Sequence, residues 1–219
     1  LLMGGGVFGS LALAYRLRPP VRRANLDSEL LLQLRDNLDR RSRILMLLPS
    51  TVAGLLGGGV AAGQMQVFLA WVRSTDFGTS DAVFGLDASF YVFQLPWWRF
   101  VLNYVSFMVV VCLIGALLVH FLTGAMNSRA FRKSGNLKGA GKAAQRQVSI
   151  LLGVTLLLYG IASFLDRYGY LTTQNNLFTG VNYTDATSRV PASLIVAAIA
   201  AICALLCFYN AWRVRWSVP

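Results

Sequence analysis

Acidic residues and histidine are scarce in this chain. Nine Asp and Glu and a single His are spread over 219 residues, which leaves little material for a site of converging carboxylates or imidazoles. Cysteine is scarce as well: Cys112, Cys203 and Cys207 all lie inside apolar runs, so no disulfide framework is readable. Cys203 and Cys207 share a helix face at i, i+4, and read as small apolar residues rather than a metal or redox pair. Charged residues are 13% of the chain and apolar ones 56%, where a soluble domain has about 25% and about 45–50%. The zinc-protease pattern H-E-x-x-H and the hydrolase elbow G-x-S-x-G are both missing. "GNLKGAGKA" (135–143) fails as a phosphate loop, because Asn136 stands where glycine is required and Ala143 replaces the magnesium-binding hydroxyl. No catalytic residue, metal ligand or cofactor is expected.

Long apolar runs are present instead. Residues 1–15 are apolar but fall short of the roughly 20 residues a helical span needs, and read as the back half of a truncated span rather than a signal peptide. Fuller runs cover 44–72, 100–123, 148–165 and 192–212. Helices satisfy every backbone hydrogen bond internally, so spans of this kind are helical. Segment 16–43 differs: after "RLRPPVRR", the leucines Leu26, Leu30, Leu34 and Leu38 line one stripe. Asp27 and Ser28 offer N-caps, and arginines close the end, as in an amphipathic helix lying in the headgroup region. A helix packed on a neighbouring protein surface is the other reading.

Charge gives the orientation. The net charge of +11 does not point to nucleic acid, because the basic residues alternate with the apolar runs instead of forming a face on a polar domain. Segments 16–43, 129–146 and 213–215 carry eight, six and two Lys or Arg, against Arg73, Arg99, Arg167 and Arg189 in the alternate connections. The positive-inside rule makes the first set cytoplasmic, facing anionic lipid headgroups. The expected order is a span at 1–15, a cytoplasmic segment 16–43, a span at 44–72 and an extracytoplasmic loop 73–99. A span at 100–123, a cytoplasmic loop 124–147, a span at 148–165, an extracytoplasmic loop 166–191, a span at 192–212 and a cytoplasmic end 213–219 complete it. The fold class is thus an all-α polytopic membrane protein of about five transmembrane helices in a bundle, the first truncated, with one cytoplasmic amphipathic helix and two structured extracytoplasmic loops.

The first loop is unusual for a linker. Gly78 and Gly85 permit backbone angles closed to other residues, and Asp76, Asp81 and Asp87 suit turns by bonding nearby N–H groups. Phe90, Tyr91, Phe93, Trp97 and Trp98 gather where the chain re-enters the apolar region, with Pro96 placed to start a helix. The aspartate spacing is not that of a calcium loop. In 44–72, Gly54 and Gly58 are four apart, as are Gly59 and Gly63, a small-xxx-small pattern for close helix packing that Gly5 and Gly9 repeat. A helix break at Gly57–Gly59 is the alternative there. His120 lies near the cytoplasmic end of its span and reads as structural, with a proton relay as the alternative. Gln64 and Gln66 lie inside theirs and read as helix-packing residues, with a polar groove as the alternative.

Phe77-Gly78, Asp81, Phe84-Gly85, Asp87, Phe90-Tyr91, Phe93 and Leu95-Pro96 resemble the signature of uncharacterised protein family (UPF) 0182, bacterial multi-span membrane proteins found mainly in actinobacteria and cyanobacteria. Asp166-Arg167-Tyr168, Phe178-Thr179-Gly180, Tyr183-Thr184-Asp185 and Pro191 are similar to that family's next outer loop, and "LALAYR" (11–16) to the end of an early span. Ala82 departs from the family pattern, which usually has proline there. The resemblance implies the interior of a membrane part that precedes a large extracytoplasmic domain, and it brings no catalytic residues. The expected role is a plasma-membrane scaffold or anchor for an extracytoplasmic domain or partner complex, touching other membrane helices or an oligomeric complex. A transporter or channel component and an intramembrane enzyme are the alternatives.

Overall fold

The computed structural model describes residues 1–17, 42–122, 141–172 and 185–216. Among these the regular structure is helical, apart from one isolated antiparallel bridge between Ser80 and Asp87 in the irregular connector 73–87. The helices are α1 (Leu2–Arg16), α2 (Ser42–Gly63), α3 (Met65–Val72), α4 (Leu95–Leu122), α5 (Lys142–Gly169) and α6 (Val190–Trp216). Four segments are long and apolar enough to cross a membrane: Met46–Gly63, Phe90–Leu122, Lys142–Thr172 and Thr187–Arg213. They correspond to the four fuller runs of the sequence. Of the amphipathic helix expected within 16–43, at 26–43, residues 26–41 lie outside the described residues, and Ser42 and Arg43 instead begin α2.

Helix ends depart from the apolar runs in an orderly way. α4 starts at Leu95, before the apolar run at 100, and α5 extends the 148–165 run at both ends to Lys142 and Gly169. Backbone hydrogen bonding does not stop where hydropathy does, so polar flanks such as Lys142–Gln147 and Asp166–Gly169 stay helical. Asp166, Arg167 and Tyr168 therefore form the last turn of α5 and are not part of a loop. The 44–72 run is interrupted at Gln64, whose N–H turns back to the Ala61 carbonyl at 3.2 Å. Gly57–Gly59 stay inside α2. Pro49 is tolerated in α2, where the Ser50 and Thr51 hydroxyls donate to the Met46 and Leu48 carbonyls at 2.6 and 2.9 Å.

Two helices start alike. A π turn at Phe90–Gln94 ends two residues before Pro96, and another at Asp185–Arg189 ends two residues before Pro191. Proline has no N–H to complete the usual i→i−4 bond, yet is well accommodated in the first turn of the helix that follows. A widened turn ahead of each proline absorbs that mismatch; at the first, the Leu95 N–H donates to the Phe90 carbonyl.

The chain divides into two compact units. The first comprises Leu1–Gly58, Met108–Val154 and Leu205–Pro219; the second comprises Gly59–Phe107 and Thr155–Ala204. In the first, α1 buries Met3, Val7, Leu11 and Ala14, a stripe at helical spacing. α1 meets α2 backbone to backbone: a Cβ on Gly4 would lie 2.8 Å from the Ser50 carbonyl oxygen and 3.2 Å from Gly54 Cα. Gly54 is thus in a close helix contact, whereas Gly58, Gly59, Gly63, Gly5 and Gly9 have no such neighbour among the described residues. His120 is fully buried, with its Nε2 3.0 Å from Gln147 Oε1, while Gln147 Nε2 donates to the Ser10 carbonyl at 3.0 Å. The Gln147 amide thus turns its nitrogen to Ser10 and its oxygen to His120. The imidazole and amide brace α1, α4 and α5 together.

Candidate functional site: the connector and the end of α5

The second unit holds the residues that the sequence singles out. After Arg73 the chain turns at Gly78, with φ +70°, and again at Gly85, with φ +68°. Both are left-handed conformations that side chains with a Cβ disfavour. Between them a small hairpin closes: the Ala88 N–H donates to the Thr79 carbonyl at 2.9 Å, Asp81 N–H to Leu86 at 2.8 Å and Gly85 N–H to Asp81 at 2.9 Å.

The aspartates serve this backbone. Asp87 Oδ1 accepts from the N–H of Phe77 (3.1 Å) and of Ser89 (2.8 Å), and Oδ2 accepts from the N–H of Gly78 at 2.8 Å. Asp81 Oδ2 accepts from the Phe84 N–H at 2.7 Å and from the Tyr91 hydroxyl at 3.3 Å. Ser89, 2% exposed, donates its hydroxyl to Asp76 at 3.4 Å. No cluster of three or more His, Cys, Asp or Glu able to hold a metal occurs among the described residues.

These bonds leave an electrostatic mark. The Ser89 hydroxyl, which also reaches Asp76, and the N–H groups of Ser89, Phe77 and Gly78 hold the Asp87 carboxyl at about 2, below the ordinary 3.8 and against a small opposing effect of burial. A depressed carboxylate contributes stability that is fully present above its unfolded pKa and is lost as pH falls through the folded one. Connector order should accordingly be constant above about pH 4 and decline from there toward about pH 2. Backbone amide exchange at Phe77, Gly78 and Ser89 should accelerate over that window in the wild type, beyond the intrinsic pH dependence. Asp87→Asn should show no step there; an identical step in the variant would assign it to another group.

Aromatic rings fasten the connector to α5. Phe84 and Phe90 meet Tyr168 edge-on, with centroids 5.0 and 5.4 Å apart, and Phe77 meets Phe93 at 5.5 Å. The Arg167 guanidinium lies 4.0 Å from the Phe164 ring, 4.4 Å from Tyr168 and 5.6 Å from Phe84, and also touches the Tyr168 hydroxyl. Beside it, Arg99 of α4 pairs with Asp166 at 2.9 Å and lies over Gly169, where a Cβ would collide with the guanidinium. That pair is 37% and 57% exposed, so it contributes at most about 1 kcal/mol. Each ring pair contributes about 0.5–1.5 kcal/mol beyond its buried area, so the rings dominate the attachment. A second aromatic group, Phe68, Trp71, Trp97 and Trp98, joins α3 to α4, with Trp71 stacked on Trp97 at 5.3 Å.

The structure thus brings Phe84 and Phe90 of the first motif together with Arg167 and Tyr168, while Asp166 pairs with Arg99. Phe178, Thr179, Gly180, Tyr183 and Thr184 lie outside the described residues, and Asp185 opens the second π turn. Sequence reasoning missed Ser89, Arg99 and Phe164. Arg99 was the most accessible of these, since it and Asp166 are opposite charges at span ends assigned to the same side.

The described residues thus define a helical protein with four segments long and apolar enough to cross a membrane and a hydrogen-bonded connector held on two of its helices. The chain belongs to the uncharacterised protein family UPF0182, whose family model matches residues 1–219. A UPF0182 protein of Streptomyces coelicolor is 37% identical over 224 residues, covering 100% of this chain and 22% of the relative. One of Frankia casuarinae is 35% identical, covering 96% and 20%, and one of Mycobacterium tuberculosis is 37% identical, covering 95% and 21%. The chain spans about a fifth of the length of these relatives. No solved structure matches it.

Proposed function

We propose that this chain is part of the bacterial plasma-membrane portion of a UPF0182 protein, with the 73–96 connector facing away from the cytoplasm. There it anchors and orients an extracytoplasmic domain or partner complex. The observation that carries this reading is the connector itself. Its aspartates are bonded to its own backbone and its rings to α5, which makes a fixed platform. Phe77 and Val83 stay about half exposed on it, at 50% and 54%, and apolar groups outside an apolar span favour a protein neighbour. The basic segments 16–43 and 129–146 would meet anionic headgroups on the cytoplasmic side.

Single cysteines at Thr79 and Lys142, treated in intact cells with a membrane-impermeant thiol-reactive cross-linker, test side and role together. Thr79→Cys should be captured by an extracytoplasmic polypeptide segment and Lys142→Cys should not. Adding Phe77→Ser and Val83→Ser should reduce the Thr79 product several-fold. Capture only through Lys142 would reverse the orientation; labelling at Thr79 without any polypeptide captured would remove the anchoring role.

A transport role is the second reading, supported by the interruption of an apolar run at Gln64, between α2 and α3. Interrupted membrane helices are common at transport sites.

A further inference from the structure

Arg167 ends α5 with a full positive charge, and the aromatic lock does not use up its hydrogen-bonding groups. Phe164 and Tyr168 lie 4.0 and 4.4 Å from its guanidinium carbon and Phe84 lies 5.6 Å away, so rings occupy the guanidinium's surroundings while its N–H donors need acceptors. One terminal nitrogen meets the Tyr168 hydroxyl. The Nε–H is buried and has no acceptor among the described residues. The adjoining carboxylate, Asp166, pairs with Arg99 at 2.9 Å. A buried donor on a charged group is expensive to leave unmet, and in native proteins such a group usually marks an ion or water.

We propose that Arg167 holds a phosphate group, of the kind carried by membrane phospholipids, at the end of α5. The planar guanidinium presents paired N–H donors that match two oxygens of one phosphate. The neighbourhood supplies the anion. Arg99, paired to the residue beside Arg167, directly follows Trp97 and Trp98 in α4. Tryptophans at the end of an apolar helix settle at headgroup depth, where phosphodiesters are the most abundant anions. The inference needs this end of α4 and α5 to lie at a membrane surface, on either side, and does not need the anchoring role.

The test uses full-length protein in mild detergent, titrated separately with phosphatidylglycerol and inorganic phosphate and read by native mass spectrometry and thermal unfolding. Arg167→Gln should weaken binding about tenfold. Arg73→Gln, which removes an exposed positive charge just after α3 and leaves the Arg167 guanidinium, should stay within about twofold of wild type. Arg167→Lys keeps charge without the fork and should lose several-fold, which serves as the test if the Gln variant fails to assemble. Protection by phosphatidylglycerol alone assigns a lipid headgroup; equal protection by inorganic phosphate assigns a soluble phosphate group. Unchanged binding in the Arg167 variants, or an equal loss in Arg73→Gln, overturns the proposal.

Discussion

Gly85→Val is expected to lower the steady-state level of assembled protein several-fold, and Asp81→Asn to leave it nearly unchanged. Gly85 holds φ at +68° where the hairpin turns, and its N–H closes onto the Asp81 carbonyl. An L-residue held in the left-handed region costs about 1–2 kcal/mol, and a β-branched one is a greater outlier. Nothing crowds the position, so the effect is conformational and not a clash. Gly85→Asn, which tolerates that region better, should therefore recover much of the loss. A change of 1–2 kcal/mol can alter cellular abundance several-fold by roughly this route.

The aspartates should rank by their bonding. Asp81 uses only Oδ2, toward Phe84 and Tyr91, and an asparagine can place its one oxygen there. Asp87 uses both oxygens on three N–H groups, so an asparagine must turn its amide nitrogen toward a donor. The expected order of damage is Gly85→Val, then Asp87→Asn, then Asp81→Asn. Abundance measured by quantitative blotting of membranes decides it. Asn variants that assemble fully but lose function would move charge chemistry, and with it transport, ahead of anchoring.

Gly4→Leu should give the second large effect, by separating α1 from α2. The atoms a Cβ would meet are the Ser50 carbonyl oxygen and Gly54 Cα, both backbone, so no rotamer change relieves them. Overpacking of this kind costs about 1–3 kcal/mol. Gly58→Leu, on the neighbouring small-xxx-small position, has open space and should be nearly neutral. Thermal unfolding in detergent should show the contrast; equal shifts would mean that the α1–α2 contact is not the close one.

Much of this was legible in the sequence, for reasons that differ by element. Four spans could be read because length and hydropathy suffice for them. Gly78 and Gly85 could be read because glycines beside aspartates, between apolar runs, have few other uses than turns. Helix ends could not, since Asp166–Gly169 is polar yet still bonded into α5. The small-xxx-small spacing marked Gly54 without revealing that Gly4 opposes it, because spacing within a helix does not identify the partner. The His120–Gln147–Ser10 brace joins residues up to 137 apart in sequence, and only the register of three helices brings them together. Ser89 left no signal, because a serine's partners cannot be told from its neighbours.

The connector's attachment to α5 is tested most directly by a double-mutant cycle on Phe84 and Tyr168, whose ring centroids are 5.0 Å apart. Thermal unfolding of full-length protein in mild detergent is compared for the wild type, Phe84→Leu, Tyr168→Leu and the double variant. A coupling of about 0.5–1.5 kcal/mol between the two positions is expected. Strictly additive losses, with no coupling between the rings, would contradict an ordered connector fixed on α5.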